Sequence, residues 1–294
     1  DEANIEENKI FINKLWNASR FTLMNLEEFD KSKYVLDNFN IADKWILTKL
    51  NNVIKIVRKH MDKYEFNVVG TELYNFIWND FCDWYIELAK INMNDTTKSV
   101  LHYTLTCILK MLHPFMPYVT EEIYQMLPIK DESIMISDYP IYNESLIFKN
   151  DKELLDKIIK DIVEIRNFKV ENNITKEAKI TIETSDELFN IYKVSLKIKD
   201  EQIINDDNDQ TSYNYKSSNI NITYYQESEE KNIDKINEEI EKLKISINRR
   251  EILLSNDNYI NKAPQNIVEI DRKKLNEEKE RLIMMLDEIN QKNN

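Results

Sequence analysis

Apolar residues in the first half of the chain recur at the spacing of helices rather than strands. Ile5, Ile12, Leu15, Trp16, Leu23 and Leu26 gather on one side of a helix that should end near Leu26. After a polar loop holding Lys31 and Lys33, the sets Ile46, Leu50, Val53, Val57 and Leu47, Ile54, Met61 predict a second amphipathic helix. A third, from about Phe66 to Ile91, has an apolar face so wide and aromatic that it suits the centre of a bundle. A fourth should run from Asp95, read as its N-cap, to Leu112, where His113-Pro114 disfavours another helical residue. Pro117 then opens a shorter helix that Pro128 closes. These five form an up-and-down helical bundle, assigned to residues 1–145.

The pattern changes beyond the bundle. Ser133 to Tyr142 reads as an extended connector with a short strand at Ile134–Ile136, and Leu154, Ile158, Ile162 and Ile165 share a face of a helix over 151–171. Lys179–Glu183 and Asn219–Tyr224 alternate apolar and polar residues as half-exposed strands do, on either side of the polar loop Asn205–Asp209. Residues 146–228 are therefore a small α+β connector. In the segment 229–294, Ile233, Ile236, Ile240, Leu243, Ile247 and Leu254 follow a heptad, and Val268, Leu275, Leu282 and Ile289 recur at intervals of seven. Two such helices joined by Ser255 to Pro264 should fold back as an antiparallel coiled-coil hairpin, an arm about 35 Å long. An arm that thin holds no pocket; its use is to reach something. The fold class is thus mainly α: bundle, connector, coiled-coil hairpin.

Composition removes several functions. Gly70 is the only glycine, so no glycine-rich loop can turn tightly against a phosphate chain. Cys82 and Cys107 sit in apolar helical patterns without a C-x-x-C pair, which points to buried thiols in a reducing cytoplasm. No apolar run approaches the length of a membrane span, and a start at Asp1 inside a helical pattern implies a piece of a longer protein. The net charge of -13 is unevenly spread: residues 231–294 carry 13 basic and 13 acidic side chains, so the acidity lies upstream of the arm. Recognition of an anion would then depend on basic residues converging on one face.

Nothing in the chain pairs a nucleophile with a base. His60, His102 and His113 fall on separate elements. Asp80, Asp83 and Glu87 have a spacing that suits a metal, yet a salt-bridged helix face explains them better, so neither catalytic nor metal residues are expected. The aromatic run Tyr74, Phe76, Trp78, Phe81, Trp84, Tyr85 reads mostly as core. Phe39 and Trp45, near Lys31 and Lys33, are better placed to stack an unpaired base while lysines take phosphate, with core burial equally open for Trp45.

Several strings resemble the anticodon-binding bundle of valyl-tRNA synthetases: Asn13-Lys14-Leu15-Trp16-Asn17-Ala18-Ser19-Arg20-Phe21, Asp43-Lys44-Trp45-Ile46-Leu47, Trp78 to Glu87, and Leu112 to Ile123. Isoleucyl and leucyl relatives share elements of this bundle. Leu254-Ser255-Asn256 and Tyr259 to Pro264, in the turn of a heptad hairpin, look like the C-terminal arm of valyl enzymes. The resemblance implies a class I anticodon-binding fold that reads the valine anticodon while the arm packs on the tRNA elbow. It implies a parent ligase that uses ATP and Mg to esterify valine to tRNA, acting as a cytoplasmic monomer with its catalytic domain N-terminal to this chain. The class signature motifs and the editing insert are absent from these residues, so the segment itself should need no cofactor and should not aminoacylate. Expected anticodon contacts are Lys14, Asn17, Arg20, Lys31, Lys33, Phe39 and Trp45, with Arg20 leading because its planar fork suits phosphate or a base edge; a salt bridge to Asp80 would explain it equally. Expected elbow contacts are Lys242, Arg249, Arg250, Lys262 and Lys273, against a reading as solvated coiled-coil flanks. An isoleucyl- or leucyl-type segment, or a helical scaffold that binds no RNA, are the alternatives.

Overall fold

The computed structural model describes residues 2–27, 29–204, 211–226, 229–256, 259 and 265–292. The expected loop Asn205–Asp209 lies outside them. Two compact units divide the chain, one of residues 1–173, 182–203 and 215–222, the other of 174–181, 204–214 and 223–294.

The first unit is built on helices α1 (Glu2–Asn25), α2 (Ile41–Met61), α3 (Phe66–Asn75), α4 (Ile86–Ala89), α5 (Asp95–Leu112), α6 (Pro117–Gln125) and α7 (Lys149–Glu171). α2 starts on a capping box: the Asn40 side chain accepts from the Asp43 amide at 2.9 Å, and Asp43 faces the Asn40 amide at 3.4 Å. The same Asp43 carboxylate, fully buried, accepts from the Tyr85 hydroxyl at 2.7 Å and Thr97 at 3.0 Å. One acid therefore ties α2 to the segment before α4 and to α5. Burial pushes its pKa up, and these donors pull it back.

The long third helix is continuous but not uniform. Between α3 and α4, Phe76–Tyr85 is π-helical, and the Ile86 amide reaches back five residues to the Phe81 carbonyl. The N-cap of α5 is Asn94 rather than Asp95, because the Asn94 side chain accepts from the Thr97 amide at 2.8 Å. Ile134–Ile136 forms a 3-10 turn capped by Ser133 instead of a strand.

α7 corrects the expected boundary after residue 145, since it packs along α2 and belongs with the bundle. Lys44 reaches Asp151 at 3.0 Å, the Trp45 indole donates to Asp156 at 2.8 Å, and the Phe148 amide donates to Thr48 at 2.9 Å. Its buried row is Leu155, Ile158, Ile162 and Ile165, and Leu154 faces outward at 36% exposure. Asp161 on the same row is buried and accepts from Tyr192 at 2.8 Å on α8 (Asp186–Ser195) and from Asn219 at 2.9 Å. Strands β1 (Lys179–Glu183), β2 (Thr211–Lys216) and β3 (Asn221–Gln226) form a sheet in the order β1-β3-β2. α8 and β2 were not expected.

The second unit contains the arm, α9 (Glu229–Leu254) and α10 (Gln265–Lys292). Partners that advance along one helix recede along the other: Glu239 pairs with Arg281, Ser246 with Glu278, and Arg250 with Asp271. The hairpin is therefore antiparallel, as the heptads require. Ile240, Ile247 and Val268 fill its seam. The side chains of Ile233, Ile236 and Ile289 lie outside the description.

Candidate nucleic-acid interface

Lys14, Asn17 and Arg20 are spaced by three along α1 and so share one flank of it. Their situations differ. Lys14 is engaged internally, its ammonium 2.6 Å from Asp83 and 3.6 Å from the centre of the Trp78 ring. Asn17 and Arg20 are exposed. Asp80, the alternative mate for Arg20, is taken by Lys49 at 3.3 Å, so the guanidinium remains open to a ligand.

Arg20 stands at a cavity of about 320 Å³ walled by Trp16, Ser19 and Leu23 of α1 and by Ile123 and Met126 across from them. The Ser19 hydroxyl is buried and without a hydrogen-bond partner among the described residues. Apolar walls, one unmet hydroxyl and a planar cation are what an unpaired base with its phosphate needs: a dry face, an in-plane hydrogen bond and a charge.

The loop after α1 supplies further cations. Lys31 and Lys33 occupy a 3-10 turn capped by Asp30, which accepts from the amides of Ser32 at 2.8 Å and Lys33 at 3.2 Å. Hydrogen bonds from Ser32 hold the Asp30 carboxyl below its ordinary range. Both lysines are exposed. Phe39 is half-buried and meets Phe148 edge-on at 5.6 Å.

Trp45 leaves the set of base-stacking residues. It is 1% exposed, its indole N–H is spent on Asp156, and no face is open to a base. The carboxylates once weighed as metal ligands are ion-paired: Asp80 with Lys49, Asp83 with Lys14, and Glu87 with Lys90 at 2.6 Å. Burial raises the Cys82 and Cys107 thiols to about 12, so both are inert at neutral pH.

On the arm, Arg250 is also corrected. Its guanidinium lies 3.1 Å from Asp271 and 3.0 Å from Glu278, and Tyr259 donates to Asp271 at 2.6 Å. It clamps α9 to α10 because position 250 falls in the heptad seam, where a charge is tolerated only with partners. Lys242, Arg249 and Lys273 are exposed, and Lys273 lies 3.9 Å from Glu277. Lys262 lies outside the described residues.

One basic face was missed. Lys55, Arg58, Lys59 and Lys63 on or just past α2 follow i, i+3, i+4, i+8, a spacing that gathers them on one side. The spacing is legible in the sequence, where it is the periodicity of α2 and no motif that marks it.

Two family models match the chain: one described as an anticodon-binding domain of tRNA ligases, over residues 43–184, and one described as the valyl-tRNA synthetase tRNA-binding arm, over 229–291. Among relatives, a valine–tRNA ligase of Staphylococcus epidermidis is 48% identical over 188 residues, covering 60% of this chain and 22% of that protein. One of Staphylococcus aureus is 49% identical over 187 residues, covering 60% of this chain and 21% of its own length. The chain thus spans about a fifth of the length of these relatives. The arm match carries the valyl name, which separates the chain from the isoleucyl and leucyl alternatives. With a helical bundle in one unit and an antiparallel hairpin in the other, this chain belongs to the valyl-tRNA synthetase family and carries its anticodon-binding domain and tRNA-binding arm.

Proposed function

We propose that the bundle reads the valine anticodon and that the arm braces the elbow of the same tRNA, so that a catalytic domain elsewhere in a longer, monomeric cytoplasmic ligase can esterify valine to it. The observation that carries this reading is Arg20, without a partner among the described residues at the rim of a cavity whose buried Ser19 hydroxyl also lacks one there. Arg20 and Ser19 address one loop base, Asn17 a neighbouring group, and Lys31 and Lys33 the phosphates, with Phe39 beside them. Lys14 supports the site through Asp83 rather than touching RNA. Lys242, Arg249 and Lys273 take backbone phosphates at the elbow, where a folded RNA is recognised by shape. ATP and Mg would be bound outside these residues, which carry out no chemistry alone.

The test is filter binding of the full chain, wild type and Arg20→Ala, to valine tRNA and to the same tRNA with a swapped anticodon. Wild type should prefer the valine anticodon, and Arg20→Ala should lose about tenfold on the valine form, a cost of about 1–3 kcal/mol for one good base or phosphate contact. An Arg20→Ala protein that discriminates as well as wild type removes Arg20 from the reading site.

A further inference from the structure

A second cavity, of about 560 Å³, lies between α5 and the segment leading to α7, away from Arg20. Tyr103, Tyr139 and Tyr142 line it, together with Thr106, Cys107 and Lys110. Its volume lies within the range of sites that enclose small planar ligands, about 300–1,000 Å³. Two of its polar groups, the Tyr139 hydroxyl and the Thr106 hydroxyl, are buried and have no hydrogen-bond partner among the described residues. Native proteins seldom leave such groups unmet, and a pair on one cavity wall marks a place where a ligand supplies what the protein does not. Burial raises the Tyr139 hydroxyl to about 12, so it is present as a neutral donor.

The charged residues of the lining, Lys110 and Asp138, are of opposite sign, and the further cations stand beside the cavity on α2, against the rings of its tyrosines. Arg58 lies over the Tyr139 ring at 5.8 Å and donates to the Pro140 carbonyl at 3.1 Å, while Lys55 lies over the Tyr142 ring at 5.3 Å. Lys110 donates to the Asp138 carbonyl at 3.1 Å and stands 3.9 Å from the Asp131 carboxylate. Lys59 and Lys63 extend the charge along the same helix side. Asp131 and the lining residue Asp138 offset Lys110, which leaves Lys55, Arg58 and Lys59 on α2 as the anion-seeking edge. Tyrosine rings that offer π-faces, cations already aligned beside those rings, and in-plane hydroxyls are the components of a single-stranded nucleic-acid site.

We propose that this tyrosine-lined cavity binds an unpaired nucleotide of RNA, with the base between Tyr139 and Tyr142 and its phosphate on Lys55 and Arg58, as a contact separate from the anticodon cavity at Arg20. The proposal rests on the reading of the chain as an RNA-binding module, and it predicts affinity rather than anticodon choice. A base entering the cavity accepts from the Tyr139 and Thr106 hydroxyls, and the phosphate stays in water beside the cations of α2. Because every base has a π-face, the site is tolerant of sequence.

The test uses the full chain in two assays. In the first, a single-stranded RNA of about six nucleotides, lacking the valine anticodon, is titrated calorimetrically against wild type, Tyr139→Phe, Arg20→Ala and the exposed double variant Lys55→Gln/Lys59→Gln. Binding should weaken about threefold for Tyr139→Phe, which removes only the unmet hydroxyl, and about tenfold for the double variant. In the second, the same proteins bind valine tRNA and its anticodon-swapped form. The cavity variants should lose affinity for both by the same factor, keeping their ratio. Oligonucleotide binding that is absent, or equal in wild type and both cavity variants, overturns the proposal whether or not the anticodon is read. A cavity variant that loses the ratio itself also overturns it, because the cavity would then be the anticodon site. Loss of the ratio in Arg20→Ala alone leaves the two sites separate, as proposed.

Discussion

Replacing Trp45 with phenylalanine separates a core role from an RNA role. The indole is fully enclosed between α2 and α7, and its N–H donates at 2.8 Å to an Asp156 carboxylate that also accepts from Lys152 at 2.6 Å. A hydrogen bond to a charged acceptor contributes about 1.5–3 kcal/mol. The ring atoms lost from a closed site add about 1 kcal/mol of transfer free energy, and the gap they leave cannot fill with water. Trp45→Phe should therefore cost about 2.5–4 kcal/mol, which lowers Tm by about 5–15 °C for a unit of this size. The variant should melt earlier by circular dichroism while binding valine tRNA within about twofold of wild type at a temperature where both are folded. A melting point unchanged to within about a degree, together with a tenfold loss of tRNA affinity, would refute the reasoning and return Trp45 to the RNA surface.

Three further outcomes follow from the same packing. Gly70 lies on the exposed side of α3 with open space where a Cβ would stand, so Gly70→Ala should stabilise by about 0.5–1 kcal/mol in urea unfolding, and a destabilised variant would contradict the helix as described. Lys49 lies 3.3 Å from Asp80 and 3.7 Å from Asp156, and burial raises the Asp80 carboxyl while Lys49 pulls it down. A raised folded pKa means stability that falls as pH rises through it. Lys49→Met lifts Asp80 further and should cost about 1–3 kcal/mol at about pH 7, a deficit that shrinks toward about pH 4; a pH-independent deficit contradicts the assignment. On the arm, Arg250 hydrogen bonds hold the Glu278 carboxyl below its ordinary range, so the clamp's contribution is lost as pH falls through that lowered value. Arg250→Ala should reduce helical ellipticity at neutral pH while Arg249→Ala retains it, and equal ellipticity in both would show that the clamp is dispensable.

Most of the bundle was legible because its cores follow a helical period that survives any sequence-local noise. The heptads of 240–254 and 268–282 likewise required a hairpin, and Arg250 occupies a seam position, where a charge requires an internal partner. What escaped has physical causes. β2 (Thr211–Lys216) alternates only two half-buried tyrosines, Tyr213 and Tyr215, among exposed polar residues, a pattern too short to mark a strand without its neighbour β3. The π-helical stretch Phe76–Tyr85 retains apolar residues at helical intervals, so its wider turn leaves no sign in composition. Trp45 and Arg20 looked alike as candidates, and only the identity of their neighbours, Asp156 for one and an open cavity for the other, separates them. The cavity near Tyr139 joins residues of α5 to those of 138–143, with Arg58 of α2 over the Tyr139 ring, and no local pattern brings these together.

Hydroxyl-radical footprinting of valine tRNA on the full chain tests the central claim most directly, because it reads the anticodon loop and the elbow in one lane. The account predicts protection at the anticodon loop that Arg20→Ala removes and protection at the elbow that Arg250→Ala removes, each without the other. A footprint confined to the acceptor stem, or none at either site at a protein concentration that retains the tRNA on a filter, would contradict it.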